Sequence, residues 1–376
     1  MPNNRVLYAI EDVKIAGLAA FTGFNSSSFV HGAQSAGVKT DFRLEQVFEL
    51  GQLAIYENIE NIPNVEVTVE KVLDGYPLMW HMATADASAR TLIGRSTAKA
   101  NLSFGIWPDT YDATSGTSLT AMVLSGIYTS SLSYAFPVNG NFTESVTLVC
   151  NNKRWYSDSG TAPSGAMTGY ATSFATTPDR PRGSGGVNRR EDMLFDYTAG
   201  VTATDNNGLP VYTSGCILPR QIPGVDSSGR NYAASTTGTL PVVLQNIRVN
   251  SNFGREELFE LGRKLPYCRY VKFPTEVTCE FEIISISGDW IEATEEGIHA
   301  DGTNLQVESI RLVTREGTRI TLGTQNKLQS VNVGGGDTGG ANQTITYTYS
   351  TFNDFTVMHT GDPNGALAAS TFALYN

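Results

Sequence analysis

Residues 253–282 read FGREELFELGRKLPYCRYVKFPTEVTCEFE, and residues 42–71 read FRLEQVFELGQLAIYENIENIPNVEVTVEK. Laid side by side, Phe42 meets Phe253, Glu45 meets Glu256, and Phe48-Glu49-Leu50-Gly51 meets Phe259-Glu260-Leu261-Gly262. Tyr56 then falls on Tyr267 and Pro63 on Pro274; after a one-residue slip Glu66-Val67-Thr68 falls on Glu276-Val277-Thr278 and Glu70 on Glu280. About a dozen ordered identities across one stretch mark an internal repeat, and a repeat dictates how the rest of a chain is parsed. The expected organisation is a tandem duplication: a first domain over 1–160, an extended arm over 161–235 and a second domain over 236–376. A length of 376 residues accommodates two such units.

Within the repeat, Phe42, Leu44, Phe48 and Leu50 alternate with Arg43, Glu45 and Glu49, and Phe259 and Leu261 alternate with Glu256 and Glu260 in the same way. A period of two predicts a half-buried strand ended by Gly51 and Gly262, where the backbone needs positive φ or a close approach. Pro63 and Pro274 open a further strand rich in β-branched residues. Alternating runs on either side of Asn139-Gly140 predict a hairpin. Residues 76–100 are the one convincing helical patch. Residues 16–41, Gly/Ser-rich and punctuated by Phe21, Phe24 and Phe29, read as a long loop inserted in the first copy, its phenylalanines expected to bury against a neighbouring subunit or their own domain.

Composition removes several function classes. A net charge of −11 argues against general nucleic-acid binding, which requires Lys and Arg for phosphates. Cys150, Cys216, Cys268 and Cys279 form no CxxC pair and stand at no zinc-ligand spacing from a histidine, so reduced and mostly buried thiols are expected. His31, His81, His299 and His359 are scattered, and neither a GxSxG elbow nor a Walker loop occurs. No catalytic, cofactor or metal site is expected. No basic-then-apolar leader opens the sequence and no apolar run approaches the length of a membrane helix, so a protein made and kept soluble in the cytoplasm until assembly is expected.

Taken in order, the FELG strands, the Pro-led strands, the hairpin FPVNGNFTESVTLVC and the segments RREDMLFD (189–196) and LPRQIPG (218–224) resemble the tail tube proteins of long-tailed bacteriophages. The resemblance implies a mainly β fold: two tandem tube-type β-sandwich or barrel domains, each with a flanking α-helix. It further implies rings of six domains, here three chains with pseudo-sixfold symmetry, stacked into a tube that conducts genomic DNA without binding it specifically. The implied partners are further copies of the chain and other tail proteins (tape measure, sheath or terminator), within a virion assembled in the bacterial cytoplasm. Glu45, Glu49, Glu256 and Glu260 are the acidic candidates for the lumen, with an outer face or inter-subunit ion pairs as the alternative, and the 16–41 loop and the 161–235 arm are candidates for bridging rings. A baseplate hub, tube initiator or tail-end connector carries the same domain. A carbohydrate-binding sandwich is the rival from another class, and it would need Trp107, Tyr111, Trp155 and Tyr156 on one open face.

Overall fold

The computed structural model describes residues 11–18, 24, 28–87, 89, 91–107, 118–157, 186–195, 215–225, 243–266, 268–285, 288, 289, 291, 306–335 and 342–359. The first half comprises β1 (Glu11–Gly17), β2 (Ala33–Asp41), β3 (Leu44–Phe48), β4 (Ile55–Glu60), β5 (Asn64–Val72), α1 (Met79–Ala83), α2 (Leu92–Ser96), β6 (Ala100–Ile106), β7 (Thr120–Pro137), β8 (Thr143–Cys150) and β9 (Lys153–Ser157). The second comprises β10 (Leu244–Asn252), β11 (Arg255–Leu258), β12 (Cys268–Val271), β13 (Glu276–Ile284), β14 (Arg311–Val313), β15 (Arg319–Thr321), β16 (Lys327–Gly334), β17 (Thr344–Phe352) and β18 (Thr356–Met358). The protein is mainly β, as the sequence predicts.

One antiparallel sheet organises everything else. Its main path runs β16-β17-β13-β10-β7-β8-β5-β2. The centre of that path is β10 against β7, with Asn246 opposite Pro137 and Asn252 opposite Ser131, so the two halves are joined edge to edge in one continuous sheet. β7 also serves a second layer: residues near its start pair with β6 and β9, and β6 pairs with β1. Gly126 lies where the strand passes from one layer to the other, at φ 65°, a left-handed conformation that glycine adopts without strain. In the second half the covering layer is β14-β15-β18.

Alternation explains how the layers close. Along β5, Val65, Val67 and Val69 point inward while Glu66, Thr68 and Glu70 point out; along β13, Val277, Cys279, Phe281 and Ile283 point inward while Thr278, Glu280 and Glu282 point out. Their buried partners, among them Leu132, Tyr134, Leu148, Tyr347 and Tyr349, belong to one apolar cluster running through both halves. Cys150, Cys216 and Cys279 are buried free thiols and Cys268 is half-buried, matching the reading of their spacing.

Several expectations are corrected here. Residues 33–41 are not loop but the edge strand β2, paired along its length with β5. Residues 76–100 hold two short helices, α1 and α2, rather than one. The described parts of the supposed arm are not extended: Met193, Cys216, Leu218 and Ile222 are buried in the core, Leu194 N–H donates to the Val313 carbonyl (2.9 Å), and Ile217 bridges Arg311. They dock RREDMLFD and LPRQIPG onto β14 and complete the second half's covering layer.

A buried polar cluster links that layer to the first half. His81 Nε2 lies 3.1 Å from the Val357 carbonyl, and the His81 and His359 rings are 6.3 Å apart. Burial, and then the like charges of His81 and Lys71, hold His359 well below the ordinary imidazole range. An unfolded chain takes up that proton near pH 6.5 and the folded chain does not, so this histidine's contribution to stability falls as pH drops below about 6.5, by at most about 1.4 kcal/mol per pH unit. Glu144 and Glu316, held above the usual carboxylate range chiefly by burial, act with the opposite sign below their folded pKa values. The difference in urea midpoint between wild type and His359→Gln, followed from pH 7.5 to 5.5, isolates the histidine. The difference is expected to change with pH in that direction, and a constant difference would remove this role.

Candidate assembly surface

The two matched stretches make the same local structure. β2 and β5 are paired and carry the hairpin β3–β4 at one end; β10 and β13 are paired and carry the hairpin β11–β12 at the corresponding end. The FELG motif is the reversal of each hairpin. Gln52 N–H donates to the Glu49 carbonyl and Arg263 N–H to the Glu260 carbonyl, each at 3.2 Å, with Gly51 at φ 90° and Gly262 at φ 86°. A glycine with positive φ at the third position is the signature of a type II turn. Space around both glycines is open, so conformation and not close approach demands them.

The predicted half-buried strand is a different object in the structure: neither face of the first hairpin is covered. Phe42, Leu44, Phe48, Ile55, Tyr56 and Ile59 are all exposed, and Leu50 and Leu53 fully so. Glu45, Glu49, Glu256 and Glu260 lie on these hairpins, solvent-exposed, and not on the main sheet.

Matched positions divide into two kinds. At the turns, exposure is the same in both copies: Phe48 is 59% exposed and Phe259 58%, and Leu50 and Leu261 are both fully exposed. At the hairpin bases the copies diverge. Phe42 is 60% exposed while Phe253 is 1% exposed, its ring stacked 5.4 Å from Trp80 and its N–H donating to the Ser130 carbonyl. Counting back from these phenylalanines without a gap superposes β2 on β10, and Val38 at 37% meets Val249 at 1%. The reason is positional. The second copy's hairpin lies across the rim of the first half, where Arg255 donates to the Thr129 and Ser96 carbonyls and sits 5.0 Å over the Tyr128 ring. Its Glu257 pairs with Arg269 and Arg43, and Arg269 donates to Asn64 Oδ1. Burial lowers the Arg255 pKa to about 10, the main cause being loss of water around the guanidinium.

The sheet's other surface is open and polar. The outward positions carry Ser133, Asn250, Thr278, Thr346 and Thr348, with Ser133 Oγ donating to Asn250 Oδ1 (2.6 Å) across the joint between the halves. Carboxylates stand on it, among them Glu66, Glu70, Glu276, Glu280 and Glu282, with Arg248 opposite Glu280, Lys39 opposite Glu66 and Lys327 opposite Ser350. The repeated Glu-Val-Thr motif gave the signal for these residues; what sequence reasoning lacked was which of its two faces is open. Of the candidate bridging phenylalanines, Phe24 is buried and Phe29 is half-buried, bridged to Lys14 by backbone pairing, whereas Phe21 lies outside the described residues. Trp107 is fully buried and Trp155 is partly buried against the core, so they do not share an open aromatic face; Tyr111 lies outside the described residues. Among the described residues no group of histidine, cysteine and carboxylate side chains is arranged to hold a metal, and no helix is long and apolar enough to cross a membrane.

No family model matches the sequence, and no curated protein matches it. Among solved structures, similarity is found to a chain of the anti-feeding prophage baseplate, 6-fold symmetrised, at 12% identity over 41% of this chain and 96% of that one, with a TM-score of 0.30. A chain of the anti-feeding prophage tube-terminating cap aligns at 12% identity over 42% of this chain and 94% of that one, TM-score 0.30. A chain of the sheath–tube complex of an extracellular contractile injection system in its extended state aligns at 9% identity over 41% and 93%, TM-score 0.30. At these values the likeness carries no assignment of function.

Proposed function

We propose that this chain is a structural subunit of a phage-type tail tube, built from two tandem copies of one tube domain and assembling as a trimeric, pseudo-sixfold ring. The observation that carries the proposal is the pair of sheet edges that have no partner strand among the described residues. β2 and β16 stand at opposite ends of the main path, and both are largely exposed. Unpaired edges of this length are templates for another strand. The β10–β7 joint supplies the pattern: the repeat's leading strand pairs antiparallel with a long strand of the other half. β2 is the counterpart of β10, and β16, which precedes the partner of β13 as β7 precedes that of β5, is the counterpart of β7.

Eight antiparallel strands lie on the path, an even number, so β2 of one copy meets β16 of the next in antiparallel sense. Head-to-tail repetition of that joint closes when the rotation per copy divides a full turn. Three copies would give three times eight strands, well beyond the roughly 16–18 that already leave a water-filled channel. The polar open face then lines the channel, and Glu66, Glu70, Glu276, Glu280 and Glu282 replace the hairpin glutamates as the lumenal acids. Their charge disfavours phosphate adhesion and leaves passing DNA mobile. The turn leucines, exposed alike in both copies, are left for contacts along the tube axis. The baseplate hub or connector remains the second reading, favoured by a ring that does not stack.

Electron microscopy and sedimentation of the purified protein over a range of concentrations test this. Particles of three times 40.5 kDa that stack into hollow tubes are expected. Gly37→Pro and Val38→Pro provide the control: successive N–H groups of a strand point to opposite edges, so one of the two removes an outward donor. Proline is tolerated on an edge strand, so the monomer should fold while ring formation is lost. A monomer at every concentration, or tubes unaffected by either proline, would sink the proposal.

A further inference from the structure

We infer that the β3–β4 hairpin, with Phe42 at its base, is a lateral clamp that closes over the second half of a neighbouring copy. This deepens the ring reading and rests on it. The argument is one of matched surfaces. In the chain itself, the second copy's hairpin lies across the strand ends of the first half, and that contact buries Phe253. The first copy's hairpin has the same pairing, turn and phenylalanine but stays exposed, with no such contact among the described residues.

The surface it lacks is present, uncovered, at the other end of the molecule. The strand ends of the second half that correspond to those under β11–β12 are the start of β16, the end of β17 and the start of β13. Two large apolar side chains stand exposed there: Phe352, opposite Glu276 at the end of β17, and Phe273, just before β13. An edge-to-edge β2–β16' joint, where the prime marks the next copy, brings Phe42 to that rim. The occupant of each exposed patch is therefore a second copy of this chain: Phe42 and its hairpin on one side, Phe352 and Phe273 on the other.

The clamp between chains also differs chemically from the one within the chain. Arg43, Glu257 and Arg269 hold the internal hairpin by ion pairs; their repeat counterparts are Gly254, Gln46 and Asn58, all uncharged. The inter-chain clamp is apolar and should persist in high salt.

Hydroxyl-radical footprinting of the full chain, monomer against assembled particle, tests the inference beside a disulfide control. Val38→Cys with Val331→Cys or Val333→Cys, in a Cys268→Ser background, reports the β2–β16' joint, because these side chains face the core side of the two edges. The expected result is an inter-chain disulfide together with at least a five-fold fall in oxidation of Phe42 and Phe352 on assembly. Phe42→Ser is expected to leave the monomer's melting temperature unchanged and to raise the concentration needed for rings at least ten-fold. Disulfide formation with Phe42 and Phe352 still fully reactive overturns the clamp and leaves the ring standing. No disulfide and no assembly at any concentration overturns both.

Discussion

Replacing Glu144 by alanine is expected to lower the unfolding free energy by about 3–5 kcal/mol, the cost of breaking a buried charge network from one side. The carboxylate is fully buried and accepts from Met79 N–H (2.7 Å), Trp80 N–H (3.2 Å) and the Tyr134 hydroxyl (3.0 Å). Met79 and Trp80 open α1, so Glu144 supplies the acceptor that the helix's first N–H groups need and fastens the helix to β8. Lys71 is buried nearby and its charge favours the ionised form. Alanine would strand two backbone donors and a phenol, and would take a neighbouring charge from Lys71, which keeps Asp74 and the Pro77 carbonyl as its partners. Glu144→Gln keeps one acceptor oxygen and should cost about 1–3 kcal/mol. Urea denaturation of the monomer reads both, and equal losses for the two variants would show that packing, not the acceptor, is what Glu144 provides.

The second large effect is an asymmetry between equivalent residues. Phe253→Ala removes a buried ring stacked on Trp80 and should cost about 3–5 kcal/mol. Phe42→Ala, at the matching position of the first copy, removes a ring that stands in water and should change monomer stability by no more than about 0.5 kcal/mol. The same denaturation experiment compares them. A large loss at Phe42 would mean that the first hairpin is seated within its own chain, contrary to the structure described above.

Much of this architecture was legible in the residues. The doubled FELG announced two equivalent reversals, and Gly51 and Gly262 carry the positive φ that the motif requires. Asn139-Gly140 joins β7 to β8 as the alternating runs indicated. β2 was not legible for a physical reason: AQSAGVKTD is an edge strand exposed on both faces, so no hydrophobic alternation marks it. The hairpin misled in the opposite way. Phe42, Leu44 and Phe48 alternate as if one face were buried, yet all three are exposed in the structure. The same alternation places Glu45 and Glu49 on a sheet strand, whereas they stand on the hairpin and its turn, and Glu66 and Glu70 stand on the sheet's open face. The docking of Met193 and Leu218 onto β14 left no pattern, because isolated apolar residues in a Gly- and Ser-rich segment have no period.

The continuous β10–β7 joint has a consequence for the law of mass action. If the ring closes as proposed, half of its lateral joints form during folding, and only three pieces must diffuse together. The amount of ring then scales with the cube of the free subunit concentration instead of the sixth power, and three fewer losses of translational and rotational freedom oppose closure, each about 4–15 kcal/mol. The two kinds of half also alternate by necessity around the circumference. A partner resting on the rim therefore meets six similar hairpins and only threefold equivalence.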